Sequence, residues 1–195
     1  MLNKIGIYKT LYFLIIFNVF FLSSRSQKFS FLEFESLSNL NSSSYFKPQM
    51  NFYSNSFKNG SNIGFYYFTL LNENWAQAYA GLIFKPSEWL SLSVGAGMEV
   101  NKNPYRFNVS MQIIKNKINF LQIYEYGGSG FWYNLIFNYK VHEQNSIGLI
   151  LKRYYGLGLN YEHEFKNFPI SFIISPLYDL EDESYKLLMM IRYYL

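Results

Sequence analysis

From about Gln27 onward, apolar and polar residues alternate with a period of two, and no 3.6-residue repeat is sustained. Leu90, Leu92, Val94, Ala96, Met98 and Val100 share one parity, against Ser91, Ser93, Gly95, Gly97 and Glu99 on the other. Tyr105, Phe107, Val109, Met111 and Ile113 stand against Arg106, Asn108, Ser110 and Gln112. Phe131, Tyr133, Leu135, Phe137 and Tyr139 stand against Asn134, Asn138 and Lys140. Successive side chains of a strand point to opposite faces, so each stretch predicts a strand with one apolar and one polar face. Turn-rich breaks interrupt the alternation at Asn39–Ser44, Lys58–Ser61, Leu71–Asn74, Lys85–Glu88, Asn101–Pro104 and Lys115–Lys117. They recur at Gly127–Gly130, Val141–Asn145, Tyr154–Gly156, Lys166–Phe168 and Asp179–Ser184. The spacing predicts about twelve strands, or ten if the first two segments do not form strands.

Strand length separates a membrane barrel from a soluble sandwich. The predicted strands run to about 9 to 12 residues, the span of a tilted membrane strand, whereas sandwich strands average nearer 5 or 6. In lipid every backbone group must be paired, so the sheet has to close on itself. The expectation is an all-β, closed, antiparallel, up-and-down transmembrane β-barrel over residues 27–195, with the apolar faces toward lipid and both termini in the periplasm. Residues 1–26 read as a signal peptide: Lys4 and Lys9 precede the apolar core Leu11–Leu22, and Ser24-Arg25-Ser26 places small residues at a cleavage site. An uncleaved anchor is the competing reading of that segment.

Composition narrows the picture. Aromatic residues make up 22% and charged residues only 15% of the 195, while mean hydropathy is -0.05. That average excludes a bundle of apolar membrane helices. The net charge of +4 is scattered, with no stripe of the kind that binds nucleic acid. The absence of Cys excludes disulfides and thiolate metal sites. Rings fall near both ends of the predicted strands, as girdles at the two membrane interfaces require: Tyr105, Phe131, Tyr155 and Tyr185 at one, Phe84, Tyr139, Phe165 and Tyr193 at the other.

Candidate chemistry is sparse. Of the two histidines, His142 falls in a turn and His163 near a strand end, and neither has a Ser within a few residues along its strand. A Ser–His–acid hydrolase is therefore disfavoured. In Glu162-His163-Glu164 the two carboxylates and the imidazole point to opposite faces, which disfavours a metal site. Gly95-Ala96-Gly97 and Gly156-Leu157-Gly158 lack the spacing of phosphate loops. On strands these glycines would make room for large neighbours such as Trp132 or Tyr66, and Gly127-Gly128-Ser129-Gly130 reads as a tight, flexible outer loop. No cofactor is expected. Alternation sends Glu99, Arg106, Glu125, Lys152 and Lys186 inward in the outer half, and Lys85, Lys140, Glu162, Glu164 and Arg192 inward in the periplasmic half; all but Lys85 and Glu164 are picked as lumen-lining residues. A selective pore usually carries one sign at its constriction, so mixed signs fit either bracing ion pairs or a narrow aqueous path.

The signal segment, the stretch Lys85-Pro86-Ser87-Glu88-Trp89-Leu90-Ser91-Leu92-Ser93-Val94-Gly95-Ala96-Gly97 and the final strand Tyr185 to Leu195 resemble small bacterial outer-membrane β-barrel proteins of unassigned activity. The final strand is similar to the C-terminal signal read by the barrel-insertion machinery, although it ends on Leu195 and not on Phe. The resemblance implies an outer-membrane location, lipid as the surrounding partner and that machinery as a partner in biogenesis. The expected function is a non-enzymatic barrel that is structural or passes small solutes. Two alternatives stay open: a component docking a larger envelope assembly through an envelope protein partner, and a soluble secreted barrel holding an apolar ligand.

Overall fold

The computed structural model describes residues 26–40 and 46–195. The signal-peptide reading falls on residues outside these, apart from Ser26. The described chain forms twelve strands: β1 (Ser26–Asn39), β2 (Phe46–Lys58), β3 (Ile63–Asn72), β4 (Ala76–Ser87), β5 (Leu90–Glu99) and β6 (Tyr105–Lys115). They continue as β7 (Ile118–Gly127), β8 (Gly130–His142), β9 (Asn145–Lys152), β10 (Gly156–Glu164), β11 (Ile170–Asp179) and β12 (Ser184–Tyr194). Each strand pairs with its sequence neighbours, and β12 pairs antiparallel with β1 to close the barrel. Closure leaves no sheet edge with unpaired N–H and C=O groups. Ten of the eleven turn-rich breaks fall within the described residues and each overlaps a gap between strands, although Lys85–Ser87 belong to β4; the break Asn39–Ser44 lies mostly outside the described residues.

The end where β1 starts and β12 finishes is called proximal here, and the opposite end distal. Short connections suit an up-and-down order. The β6–β7 turn needs only Asn116 and Lys117, and Asn116 takes the left-handed φ of 55° that such two-residue hairpins demand. In β4 the register shifts between Phe84 and Ser87, at Pro86, which has no N–H to give the ladder.

The faces follow the alternation where it is cleanest. Along β6, Phe107 and Val109 are exposed on the outer wall, while Arg106 and Asn108 are buried inside. The same outer wall carries Leu92, Val94 and Met98 on β5 and Leu157 and Leu159 on β10. A soluble barrel needs the reverse, with apolar faces inside, so that alternative does not fit this wall. Exposed rings mark both rims as expected, with one correction. Tyr155, expected to face outward, instead packs against the interior apolar cluster. Tyr154 takes the exposed place, and its left-handed φ of 68° turns the chain so that the two neighbours swap sides.

Candidate functional site: the barrel interior

The interior is filled in two ways. On the side of β9, β11, β12 and β1, Leu37, Ile150, Ile173, Leu177, Leu188 and Met190 pack together, and Leu188 is wholly buried. The expectation of a uniformly polar inner face is corrected here. In β11 and β12 aliphatic residues occupy both parities, and inside they stand among Ser171, Ser175, Lys186 and Arg192, because a narrow barrel must fill its own core and aliphatic side chains fill it without needing partners.

Elsewhere the filling is ionic. Arg106 on β6 lies between carboxylates on both neighbouring strands, 2.5 Å from Glu99 and 2.9 Å from Glu125. Ser129 joins them, donating its backbone N–H to Glu99 Oε1 and its hydroxyl to Glu99 Oε2. The turn that reads as a flexible loop is therefore pinned inward over the distal end. Lys186 sits 2.5 Å from Asp179 and 2.9 Å from Asp182 and donates to the Tyr154 carbonyl, which ties two more distal turns to the wall. Lys152 on β9 contacts both oxygens of Glu35 on β1 at 2.8 Å. Three strands separate these two along the sheet, so the bond crosses the barrel. The Lys152 ammonium also lies over the Tyr155 ring at 3.8 Å, a cation–π contact. Arg192 pairs with Glu33 at 2.8 Å and approaches Glu162 at 3.6 Å. Lys140 pairs with Glu164 at 3.1 Å, with both side chains more than two-fifths exposed at the proximal rim.

A third region is aromatic. The Tyr66 ring lies along the inner wall across Gly81 and Gly95, which stand beside it in register on β4 and β5, and its hydroxyl donates to Asn108 on β6 at 2.7 Å. A Cβ on Gly95 would strike the Tyr66 hydroxyl, so this glycine does make room for Tyr66. Tyr53 stacks on Tyr66 and on Phe31, which carries the Arg192 guanidinium at 4.8 Å.

Between these fillings runs a cavity of about 150 Å³. An apolar cavity of that order holds a single benzene-sized molecule. Its walls come from β1 to β9 and β12, and β10 and β11 take no part. Of the eight sequence-picked residues, Glu125, Lys152 and Arg192 line it. Glu99, Arg106, Glu162 and Lys186 are buried in ion pairs beside or beyond it, and Lys140 stands at the rim. Glu33 and Glu35 were missed although both line the cavity. They share a parity with Phe31 and Leu37, opposite Leu32 and Phe34, which was the available signal. Asn134 also lines the cavity, and its Oδ1 is buried without a hydrogen-bond partner.

The histidines stand apart from all of this. His163 Nδ1 meets Asn145 Oδ1 at 2.7 Å, and the ring packs edge-on against Phe165. Glu162 and Glu164 turn away to Arg192 and Lys140. Among the described residues no group of three His, Asp or Glu converges as a metal site.

No family model matches the sequence, and no curated protein matches it. Solved structures do. The KdgM porin aligns over 84% of this chain and 98% of its own, with a TM-score of 0.57 at 12% identity. A structure described as the KdgM porin in complex with disordered oligogalacturonate aligns over 86% and 98%, with a TM-score of 0.53 at 11% identity. At such identity the likeness concerns fold, and the chain is a closed twelve-stranded β-barrel of the kind built by outer-membrane porins.

Proposed function

We propose that this chain is an integral outer-membrane β-barrel, without catalytic activity, that passes small solutes along a narrow interior path. The observation that carries the reading is the cavity, walled by charged, amide, aromatic and aliphatic side chains inside a barrel whose outer wall is apolar. An apolar exterior suits lipid and a polar interior suits water. The short loops and the cleavable leader read from residues 1–26 fit the same location. Ion pairs crossing the interior restrict the path to small solutes. The oligogalacturonate named with one fold neighbour is a chain of acidic sugars, and an interior this rich in carboxylates does not favour it.

The test is conductance of the purified, folded barrel in a planar bilayer. Discrete openings of small size are expected. Asn134→Trp, which places a large ring in the cavity without breaking an ion pair, should lower them by more than half. A wild-type barrel that stays folded and never conducts would leave only the structural role. If Asn134→Trp conducted as the wild type does, the path would not run through this cavity.

A further inference from the structure

Although the formal net charge of the whole chain is +4, the deep interior has the opposite sign. Among the described residues, Glu33, Glu35, Glu99, Glu125, Glu162 and Asp179 are all less than a tenth exposed. Against these six carboxylates stand only Arg106, Lys152, Lys186 and Arg192. The pattern recurs at separate levels of the barrel. Arg106 is shared by Glu99 and Glu125, and Arg192 by Glu33 and Glu162.

The wall also occupies its own cations. Arg192 lies against Phe31 and Lys152 against Tyr155, each with a carboxylate on its remaining side. Neither is left to meet a passing anion. The cavity surface between them offers acceptors and ring faces: the unpartnered Asn134 Oδ1, and the rings of Tyr53, Tyr66, Phe68 and Trp132. Carbonyl oxygens, carboxylates and ring faces all attract positive charge. Lys85 lies over Phe57 at 4.2 Å near the proximal rim, outside the cavity wall and apart from these carboxylates.

We infer that the interior path selects small cations over anions, with the excess carboxylates of the two shared ion-pair groups setting the preference. This rests on the reading of the interior as a path. A single unit charge a few ångströms away biases a mobile ion about fivefold even at the dielectric of water, and the interior is drier than that.

The experiment is the reversal potential of the bilayer-inserted protein under a potassium chloride gradient, for the wild type and for Glu125→Gln/Glu162→Gln. Each replacement leaves its cation one carboxylate partner, Glu99 for Arg106 and Glu33 for Arg192, and the boiled-against-unboiled gel shift checks that the double variant is folded. The expected result is a wild-type preference for potassium of about fivefold or more, falling toward unity in the variant. A potential at or beyond zero on the chloride side would overturn the selectivity and leave the path standing. A cation preference that the folded variant keeps in full would remove these carboxylates as its cause and overturn the assignment. Absence of any conductance would overturn the path, and the selectivity with it.

Discussion

Two sides of the same interior solve one problem differently. On β9, β11, β12 and β1 the space is closed by Leu37, Ile150, Ile173, Leu177, Leu188 and Met190. On β5, β6 and β7 it is braced by Glu99, Arg106 and Glu125, with Ser93 and Ser110 hydrogen-bonded nearby. The cavity reaches the braced side at Glu125, Ser93 and Ser110, and takes Ile150, Met190 and the adjoining Ile136 from the apolar side. Aliphatic packing gains from removing every void, so it excludes a path. An ion-pair lattice holds its members at fixed distances by directed bonds and can stand beside open space. The comparison assigns stability to one side and access to the other.

The strongest way to break that division is Arg106→Met. Glu99 and Glu125 would then face each other's charge across a buried gap without their shared partner. Breaking a buried pair by removing one partner costs about 3 to 5 kcal/mol, and the folded band in cold SDS should disappear at a markedly lower temperature. The sharper form is the triple replacement Glu99→Leu/Arg106→Met/Glu125→Leu. Exchanging a buried ionic triad for apolar side chains of similar volume is often neutral or stabilising. The triple variant should therefore recover most of the lost stability while losing conductance. If it stays as unstable as Arg106→Met alone, the lattice is needed for folding and the division of labour between the two sides is wrong.

The apolar side gives a smaller and simpler effect. Leu188 is wholly buried, and Leu188→Ala should cost about 2 to 5 kcal/mol through lost transfer energy and the cavity left behind. Its conductance should stay close to wild type, because Leu188 does not line the cavity. A large rise in conductance with Leu188→Ala would mean that the cluster borders the path after all.

How much of this was legible depends on how cleanly the two faces differ. Along β5 and β6 the serines, asparagines and charged residues of one parity face the glycine-spaced interior, and period two alone locates Glu99 and Arg106. The strand count was legible too, because turn residues punctuate even the first pair of strands. Alternation fails in β11 and β12, where Ile173, Leu177, Leu188 and Met190 point inward while Ile174, Leu187 and Ile191 lie on the other parity. There only the charges of Lys186 and Arg192, near the two ends of β12, tell which face meets lipid, and the aliphatic residues between them do not. Glu33 and Glu35 were harder for a related reason: Phe31 and Leu37 flank them on the same parity, so neither face of β1 is purely polar. The crossing of Lys152 to Glu35 joins residues 117 apart in sequence and follows only from closure. Ser129 was hidden by its setting, since a Gly-Gly-Ser-Gly turn carries no mark of the carboxylate that its N–H and hydroxyl reach.

The finest test lies at the aromatic joint between the two sides. Tyr66 crosses Gly81 and Gly95 to donate to Asn108. Tyr66→Phe keeps the ring on its glycine bed and removes one buried hydrogen bond, a loss of about 1 kcal/mol. Gly95→Ala should cost more than that, because the new methyl meets the Tyr66 hydroxyl and the backbone carbonyl of Ala80 lies close as well. The two changes should not add. With the hydroxyl gone, the alanine has more room, so the double variant Tyr66→Phe/Gly95→Ala should be more stable than the sum of the single effects predicts. Side chains in contact couple by about 0.5 to 3 kcal/mol in such cycles. Strict additivity would mean that the glycine is kept for the approach of the neighbouring strand and not for the ring. The Tyr66 joint would then lose its claim to fix the shape of the cavity wall.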